Sequence, residues 1–350
     1  MNIRAALSSM LLCGCLCAAP ASAEMSGQQR ALEAGRPIMG ASAPRLLLKT
    51  IDGDAIDLGS LYGKKAVYLK FWATWCVPCR QQMPHFQHVY ETAGADLAVI
   101  AIDVGFNDSV DAVRAYRQKL GITMPIVSDD GSLGAAFHLR VTPTHIVIGK
   151  DGRILYAGHL ADQALDEALI AARAPGGGAP RSAAMLTANG APTVAVADLL
   201  PNRSLRTLGG QRFEFRRSTP PGTLTGLVFS SPWCESYLAT TRPDVAANCR
   251  SARLQISELS ADPRVRWLGI ASGLWADAQA LQQYRKTHKI TIPLTLDASG
   301  EIYQMFRVND VPTVLIADSS GRIVRRIEGN ATQDAAALRT AIAASGDLRL

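Results

Sequence analysis

The chain has 350 residues, of which 48% are apolar and 19% charged, with 36 basic and 30 acidic side chains. This length accommodates two ordinary domains, and the apolar content excludes a chain that is disordered throughout. No apolar run reaches the ~18–20 residues of a membrane-spanning helix, which excludes a polytopic membrane protein. Seven cysteines are too few for a disulfide-dense mini-scaffold. No basic run carries interleaved aromatic residues, so we expect no nucleic-acid partner.

The first 23 residues are typical of an export signal. Arg4 supplies the positive charge, residues 5–19 are mostly apolar, and residues 21–23 form a small-residue cleavage site. Cleavage there removes three cysteines and leaves four in an oxidising compartment. A second interpretation is lipoprotein processing at Cys15, for which the preceding apolar segment is short. Under both interpretations we expect an exported, periplasmic protein.

Strand and helix patterns alternate through the first half of the mature chain. Continuous apolar runs predict buried strands, and apolar side chains at helical spacing predict helices. Because the two alternate, we expect an α/β fold with a central mixed β-sheet flanked by helices. The predicted elements are a strand at 66–71, a helix after Pro84, a strand at 97–104, a helix at 110–120, and strands at 144–148 and 154–156.

A diverged internal repeat divides the chain. The segment AYRQKLGITMP at 115–125 matches QYRKTHKITIP at 283–293, and VTPT at 141–144 matches DVPT at 310–313. Between the two copies lies a stretch rich in Gly, Pro and Ala, which is typical of a linker. We therefore predict two related domains. The predicted bounds are 1–23 for the signal, 24–173 for the first domain, 174–192 for the linker and 193–350 for the second domain.

The strongest chemical motif is Trp75-Cys76-Val77-Pro78-Cys79, which follows a predicted strand and opens a helix. Two cysteines at i and i+3 on a first helical turn reach disulfide geometry without backbone distortion. The amides at a helix start stabilise a thiolate and lower its pKa. The alternatives are a static disulfide or half of a zinc site, but no second CxxC completes a zinc site. The motif favours a redox-active pair, and we expect no metal and no cofactor.

The segment FWATWCVPCR at 71–80 resembles exported thioredoxin-fold disulfide reductases of the TlpA/ResA type, as do Met83-Pro84 and VTPT at 141–144. The resemblance covers residues 40–172 well and 192–350 more weakly. It implies two thioredoxin-like domains, a thiol-disulfide oxidoreductase of the protein-disulfide reductase type, and protein disulfide or dithiol substrates. It also implies a membrane electron donor of the DsbD or CcdA type. Cytochrome c maturation is an alternative, although the glutamate-bearing loop of dedicated maturation thioredoxins is absent.

The resemblance also implies roles for individual residues. Cys76 is the attacking thiol and Cys79 the resolving thiol. Pro143 is a cis-proline, and the backbone before it, at Thr142, holds the substrate segment beside Cys76. Pro84 kinks the active-site helix. The supporting residues of the site are Trp75, Pro78, Thr142, Pro143 and Lys70.

Two positions depart from the family pattern. Many thioredoxins carry an acidic residue six positions before the first cysteine, where this chain has Lys70. A buried Lys70 ammonium would favour the thiolate and have a lowered pKa, whereas the alternative is a side chain that extends to the surface. Family members commonly have Glu where this chain has Gln82, so a candidate proton shuttle for the resolving thiol is missing.

In the second half, Cys234 aligns with Cys76, but Tyr237 stands where Cys79 would be. The only possible partner in this half is Cys249, which would lie roughly 22 Å away on one straight helix. Pairing therefore requires a break, and we expect a helix to begin with Thr241 as N-cap, so that residues 235–240 fold back.

Three interpretations of the Cys234–Cys249 pair stay open. It is a structural disulfide, a second redox centre that relays electrons to or from Cys76–Cys79, or part of a module that binds a client or partner. A rival function for the whole chain is a non-catalytic copper-handling protein that uses Cys234, Cys249 and Met305. Copper sites prefer closely spaced soft ligands, and the sequence has none beyond the CxxC motif.

Overall fold

The computed structural model describes residues 25–174, 193–216, 220–333 and 335–346. The predicted signal at 1–23, and the predicted linker at 174–192 except for Ala174, lie outside these ranges. Within the described part of the chain, no helix is both long enough and apolar enough to cross a membrane.

Helices and strands alternate along the chain, as the apolar pattern predicts. The elements of the first half are α1 (Gly27–Gly35), β1 (Leu47–Lys49), β2 (Ala55–Asp57), α2 (Leu58–Leu61), β3 (Ala66–Trp72), α3 (Val77–Gln81), α4 (Met83–Glu91), β4 (Leu97–Asp103), α5 (Val110–Leu120), β5 (Ile126–Ser128), α6 (Ser132–Ala136), β6 (Thr144–Ile148), β7 (Ile154–Gly158) and α7 (Gln163–Arg173). Those of the second half are β8 (Ser204–Arg206), β9 (Arg212–Glu214), β10 (Leu224–Ser230), α8 (Cys234–Thr241), α9 (Pro243–Leu259), β11 (Val265–Ser272), α10 (Ala278–Thr287), β12 (Leu294–Asp297), α11 (Glu301–Met305), β13 (Thr313–Ala317), β14 (Ile323–Glu328) and α12 (Ala335–Gly346).

The first half is built on a five-stranded sheet of order β5-β4-β3-β6-β7. The central strand β3 is parallel to β4 and antiparallel to β6, so the sheet is mixed. All seven residues of β3 are buried, as expected of a continuous apolar run in the middle of a covered sheet. The polar CxxC motif follows this strand directly, at the edge where β3 ends.

The second half repeats this architecture. Its sheet has the order β12-β11-β10-β13-β14, and β10 is again parallel to one neighbour and antiparallel to the other. Corresponding prolines, Pro143 and Pro312, both follow cis peptide bonds. Asn107 and Trp275, at equivalent positions, both have positive φ angles. The predicted α/β fold with two related mixed sheets is confirmed.

The two halves meet through equivalent loops. The amide of Asn107 donates to the carbonyl of Asn309 (2.8 Å), and the Asn107 Oδ1 accepts from the amide of Val311 (2.9 Å). In the reciprocal contact, the amide of Trp275 donates to the carbonyl of Arg140 (2.7 Å). Each half thus places the loop after its second parallel strand against the cis-proline loop of the other. One apolar cluster continues across this junction.

Several short elements, such as β5 and α6, were not predicted, because so few residues do not establish a period. One expectation about the second half is wrong in detail. Residues 234–241 form a helix of their own, and α9 has Arg242 as its N-cap instead of Thr241. The reason is Pro243, which has no amide hydrogen and whose ring clashes with the preceding turn, so the helix breaks immediately before it.

Candidate active site

Cys76 and Cys79 form a disulfide at the start of α3, with Cα atoms 5.2 Å apart. Cys76 is the N-cap of this helix, and its Sγ accepts a hydrogen bond from the amide of Cys79 (3.2 Å). Pro78 occupies the first turn, where a missing amide hydrogen costs no helical hydrogen bond. A hydrogen bond to sulfur favours its charged form. The arrangement therefore stabilises a thiolate at Cys76 once the pair is reduced.

Trp75 is held in one orientation beside the disulfide. Its ring is buried, and its Nε1 donates to the carbonyl of Phe106 (2.6 Å) in the loop after β4. Polar and apolar contacts together fix the side chain that precedes Cys76. Trp75, predicted as a supporting residue, is thus buried beside the disulfide and hydrogen-bonded to the loop after β4.

The cis-proline loop lies at the same edge of the sheet as the CxxC motif. Phe71 of β3 pairs with Thr144 of β6, so the strand that leads into the motif and the strand that follows Pro143 are neighbours. Thr142 is buried, and the carbonyl of Pro143 accepts a hydrogen bond from His159 Nδ1 (2.7 Å). Tertiary structure thus brings together two segments that lie far apart in the sequence.

Lys70 is completely buried in β3, which excludes the alternative of a side chain that reaches the surface. Its Nζ lies 5.2 Å from the ring centroid of Phe86 and has no hydrogen-bond partner among the described residues. Burial lowers the pKa of Lys70 to about 7, because an apolar surrounding disfavours the ammonium ion. The central strand therefore carries an amine that changes charge near neutral pH.

A buried hydrogen-bonded chain that sequence reasoning missed lies beside Lys70. His145 pairs with Lys70 across β3 and β6. Its Nε2 donates to Gln82 Oε1 (2.7 Å), and its Nδ1 therefore accepts from the hydroxyl of Tyr68 (2.8 Å). Gln82 Nε2 in turn donates to the carbonyl of His159 (3.2 Å). Burial and the nearby Lys70 charge hold the pKa of His145 well below its usual range.

The only sequence signal for this chain was a histidine in the otherwise apolar run THIVI at 144–148. Gln82, noted for the glutamate it replaces, occupies the centre of the network. It connects α3 and α4 to the strand that follows the cis-proline.

A second buried polar group lies on the other side of the motif. The amide of Thr74 donates to Asp108 Oδ2 (2.7 Å), and its hydroxyl donates to Asp108 Oδ1. Burial raises the pKa of Asp108, against the opposing effect of the Thr74 hydrogen bonds and of Arg242. Burial likewise raises the pKa of Asp103 well above its usual range. Asp108 thereby fixes the backbone two residues before Cys76.

The described residues contain no group of three or more His, Cys, Asp or Glu side chains that could hold a metal ion. Met305, one of the copper ligands considered, lies buried in α11. Cys234 and Cys249, the other two, are joined to each other.

Comparison with known proteins places this geometry in a family. The AhpC/TSA family matches residues 39–157. The thioredoxin-like protein YneN of Bacillus subtilis (strain 168) is 33% identical over 133 residues, which cover 37% of this chain and 78% of that protein. The thiol-disulfide oxidoreductase ResA of Halalkalibacterium halodurans is 33% identical over 132 residues, covering 37% and 73%. The chain belongs to the thioredoxin-like thiol-disulfide oxidoreductases. It is a protein-disulfide oxidoreductase.

Solved structures also align with this oxidoreductase. A thiol:disulfide interchange protein of the thioredoxin family from Chlorobium tepidum TLS is 29% identical, with a TM-score of 0.35. The aligned region covers 38% of this chain and 95% of that chain. StoA from Bacillus subtilis is 26% identical, with a TM-score of 0.32, and the aligned region covers 38% of this chain and 98% of StoA.

The second half of the oxidoreductase carries its own disulfide. Cys234 and Cys249 are bonded, with Cα atoms 6.3 Å apart, and the bond joins the start of α8 to the middle of α9. Both cysteines are buried. The break at Arg242 turns the chain between the two helices, which brings together cysteines that one straight helix would hold apart.

The second half of the oxidoreductase also contacts the CxxC motif. Trp233 packs against Trp75, with ring centroids 5.2 Å apart, and Tyr237 packs edge-on against Trp75 at 6.2 Å. The hydroxyl of Tyr237 accepts a hydrogen bond from the amide of Val77 (3.2 Å), inside the motif itself. Tyr237 was noted in the sequence only as the residue that replaces a cysteine.

Proposed function

We propose that this protein is an exported disulfide reductase in which Cys76 attacks and Cys79 resolves. The observation that carries the proposal is the position of Cys76 at the N-cap of α3, where its Sγ accepts the amide hydrogen of Cys79. That hydrogen bond favours the thiolate, and the thiolate is the form that attacks a disulfide.

The reaction has two exchange steps. The Cys76 thiolate attacks one sulfur of a substrate disulfide, so a mixed disulfide forms and the other substrate sulfur leaves as a thiolate. The Cys79 thiolate then attacks Cys76 Sγ, which releases the second substrate thiolate and forms the Cys76–Cys79 disulfide. Two electrons pass to the substrate, and its two sulfurs take up protons from the site or from water.

The supporting residues have separate parts in this scheme. Thr142 and Pro143 hold the substrate segment beside Cys76, and Trp75 and Pro78 keep the motif rigid. Lys70, whose pKa is about 7, carries a buried positive charge when it is protonated, on the strand that leads into the motif, and such a charge favours thiolates. Gln82 cannot exchange a proton as a glutamate would, so the resolving thiol loses its proton to another group or to water.

Reduction restores the dithiol, and we assign this step to a membrane dithiol donor of the DsbD or CcdA type. The predicted export signal at 1–23 supports a donor that acts outside the cytoplasm, and the reductase-like motif CVPC supports this direction of electron flow. In the cell, the mature protein should begin at Glu24.

The test measures the potential and the activity together. Thiol trapping and mass spectrometry in graded dithiothreitol buffers should give a Cys76–Cys79 potential below about −200 mV, the range of reducing thioredoxins. Reduction of insulin disulfides should disappear in Cys76→Ser, whereas Cys79→Ser should accumulate a mixed disulfide with the substrate. A potential near −120 mV, typical of strong oxidants, would contradict the reductase direction.

A further inference from the structure

Both sulfur atoms of the CxxC pair are closed off from solvent. Cys76 is 1% exposed and Cys79 is fully buried, although Val77, between them in sequence, is 37% exposed. Disulfide exchange requires a sulfur of another molecule to reach Cys76 Sγ in line with the bond that breaks. The arrangement described here therefore has to open before a protein substrate reacts.

The first residue that covers the motif is Tyr237, an aromatic residue of α8. The Tyr237 ring packs on Trp75, and its hydroxyl accepts the Val77 amide, a group that would otherwise face the approaching substrate. Trp233, one turn earlier on the chain, packs against the same Trp75 ring. Tyr237 is 39% exposed, so its position is held by these contacts rather than by burial in the core of its own half.

A second contact occupies the cis-proline loop. The amide of Trp275 donates to the carbonyl of Arg140 (2.7 Å), and its Nε1 donates to the hydroxyl of Thr142 (3.3 Å). The Trp275 ring also packs edge-on against His159, with centroids 5.5 Å apart. Under the proposed function, the backbone at Thr142 holds the substrate. The Trp275 segment therefore lies against the loop to which a substrate segment has to bind.

A third contact is an ion pair. Arg242 Nη2 lies 2.6 Å from Asp108 Oδ1 and also donates to the hydroxyl of Thr74. Asp108 is buried, whereas Arg242 is partly exposed, so the pair joins the rigid wall of the first half to a residue at the surface of the second. Asp108 already accepts from Thr74, and Arg242 completes its hydrogen bonding.

The Cys234–Cys249 disulfide braces the segment that makes two of these contacts. Tyr237 lies one turn after Cys234 on α8, and Arg242 lies at the break between α8 and α9. Because the disulfide ties the start of α8 to α9, the angle between the two helices is constrained, and with it the positions of both side chains.

We propose that the second half of the chain is a tethered lid that occupies the substrate-binding face of the CxxC site, with Tyr237, Arg242 and Trp275 as its latch. This inference rests on the proposed function, since it assigns the covered face to substrate. A small reagent reaches Cys76 after a local opening at Tyr237, whereas a protein segment requires the second half to move away from the motif. An extended substrate segment binds only by displacing Trp275 and Tyr237, so the lid selects for unfolded or flexible protein disulfides.

The test compares two probes of different size on the full chain. In a Cys79→Ser background Cys76 is a free thiol, and its reaction rates are measured with N-ethylmaleimide and with a maleimide that carries a polyethylene glycol chain of several kilodaltons. The ratio of the two rates cancels any change in the thiolate fraction. With Tyr237→Ala and Arg242→Gln the ratio of large to small probe should rise about tenfold, which corresponds to about 1.4 kcal/mol of lost latch energy.

The matched control is Leu254→Ala with Lys286→Gln, exposed residues of α9 and α10, which should leave the ratio unchanged. A milder variant, Tyr237→Phe, keeps the ring and removes only the acceptor of the Val77 amide. Hydrogen exchange at that amide should then accelerate in the folded protein. An unchanged probe ratio in the latch variant, or unchanged exchange at Val77, overturns the lid.

The labelling assay requires no turnover, so the two proposals fail separately. A shifted probe ratio in a protein that does not reduce insulin supports the lid and contradicts the reductase. Normal insulin reduction with an unshifted probe ratio supports the reductase and contradicts the lid.

Discussion

The indole of Trp75 packs against the indole of Trp233, with planes tilted by 33°. Each tryptophan directly precedes a disulfide-bonded cysteine, and each donates its Nε1 hydrogen to a loop carbonyl at 2.6 Å, that of Phe106 for Trp75 and that of Leu274 for Trp233. The two repeats thus meet through equivalent residues, as two copies related by an approximate two-fold axis do. The repeat thus places the Trp233 face of the second half against the equivalent Trp75 face of the first half.

Replacing Lys70 by Met should stabilise the protein most at low pH. The folded-state pKa of Lys70 is about 7, below its unfolded value of 10.5, so the unfolded chain binds more protons between these values and wild-type stability rises with pH there. From about pH 6 to about pH 9.5 the wild type should gain roughly 3 kcal/mol relative to Lys70→Met. Urea unfolding at the two pH values measures this. The exposed Lys64→Met is the control, and parallel behaviour of wild type and Lys70→Met would contradict a buried amine.

His145 should make stability depend on pH in the same direction as Lys70, but in the acidic range. Burial keeps this imidazole neutral in the folded state, whereas the unfolded chain protonates it near pH 6.5, so stability is lost as the pH falls below that value. Between about pH 7 and about pH 5 the wild type should lose about 2 kcal/mol more than His145→Gln, which cannot titrate. Thermal or urea unfolding at both pH values tests this. His88→Gln, at an exposed position of α4, should behave as wild type.

Asp129 and Asp130 are adjacent, but replacing each by alanine should have very different effects on the free energy of unfolding. Asp129 is buried and accepts hydrogen bonds from the amides of Leu133 (2.9 Å) and Gly134 (2.8 Å) at the start of α6, whereas Asp130 is exposed. Asp129→Ala leaves two amides unpaired and should cost about 2 kcal/mol of unfolding free energy at neutral pH. Asp130→Ala should stay within about 0.5 kcal/mol of wild type. Equal effects in denaturant titrations would refute the capping role of Asp129.

Removing the second disulfide should cost stability without abolishing exchange at the first. The Cys234–Cys249 bond closes a loop with a sequence separation of 15, and such a loop is worth about 3 kcal/mol in the chain-entropy model. The double variant Cys234→Ser, Cys249→Ser should unfold at lower urea and still reduce insulin. If insulin reduction is lost while the unfolding free energy barely changes, the pair is a relay and not a brace.

Local patterns in the sequence were sufficient for predicting the fold and for locating the Cys76–Cys79 pair that forms a disulfide. The strand before Cys76 is a continuous apolar run, and Cys76, Pro78 and Cys79 occupy one helical turn, so their environment depends mainly on neighbours in the sequence. The repeat was visible because related loops keep related residues, such as Pro143 and Pro312. These features require no knowledge of which strands lie side by side.

Contacts between distant segments were decided only by tertiary structure. The sequence left the burial of Lys70 open, because a lysine within an apolar strand can be buried or can extend to the surface. The structure excludes the surface position, since both faces of the sheet are covered at β3. His145 meets Gln82 only because β6 pairs with β3 and the junction of α3 and α4 packs against them. Tyr237 reaches the Val77 amide, 160 residues away, because the repeats pack face to face. The sequence by itself thus determined the position of the cysteine pair at the start of a helix, whereas packing between the halves determined which residues cover that pair.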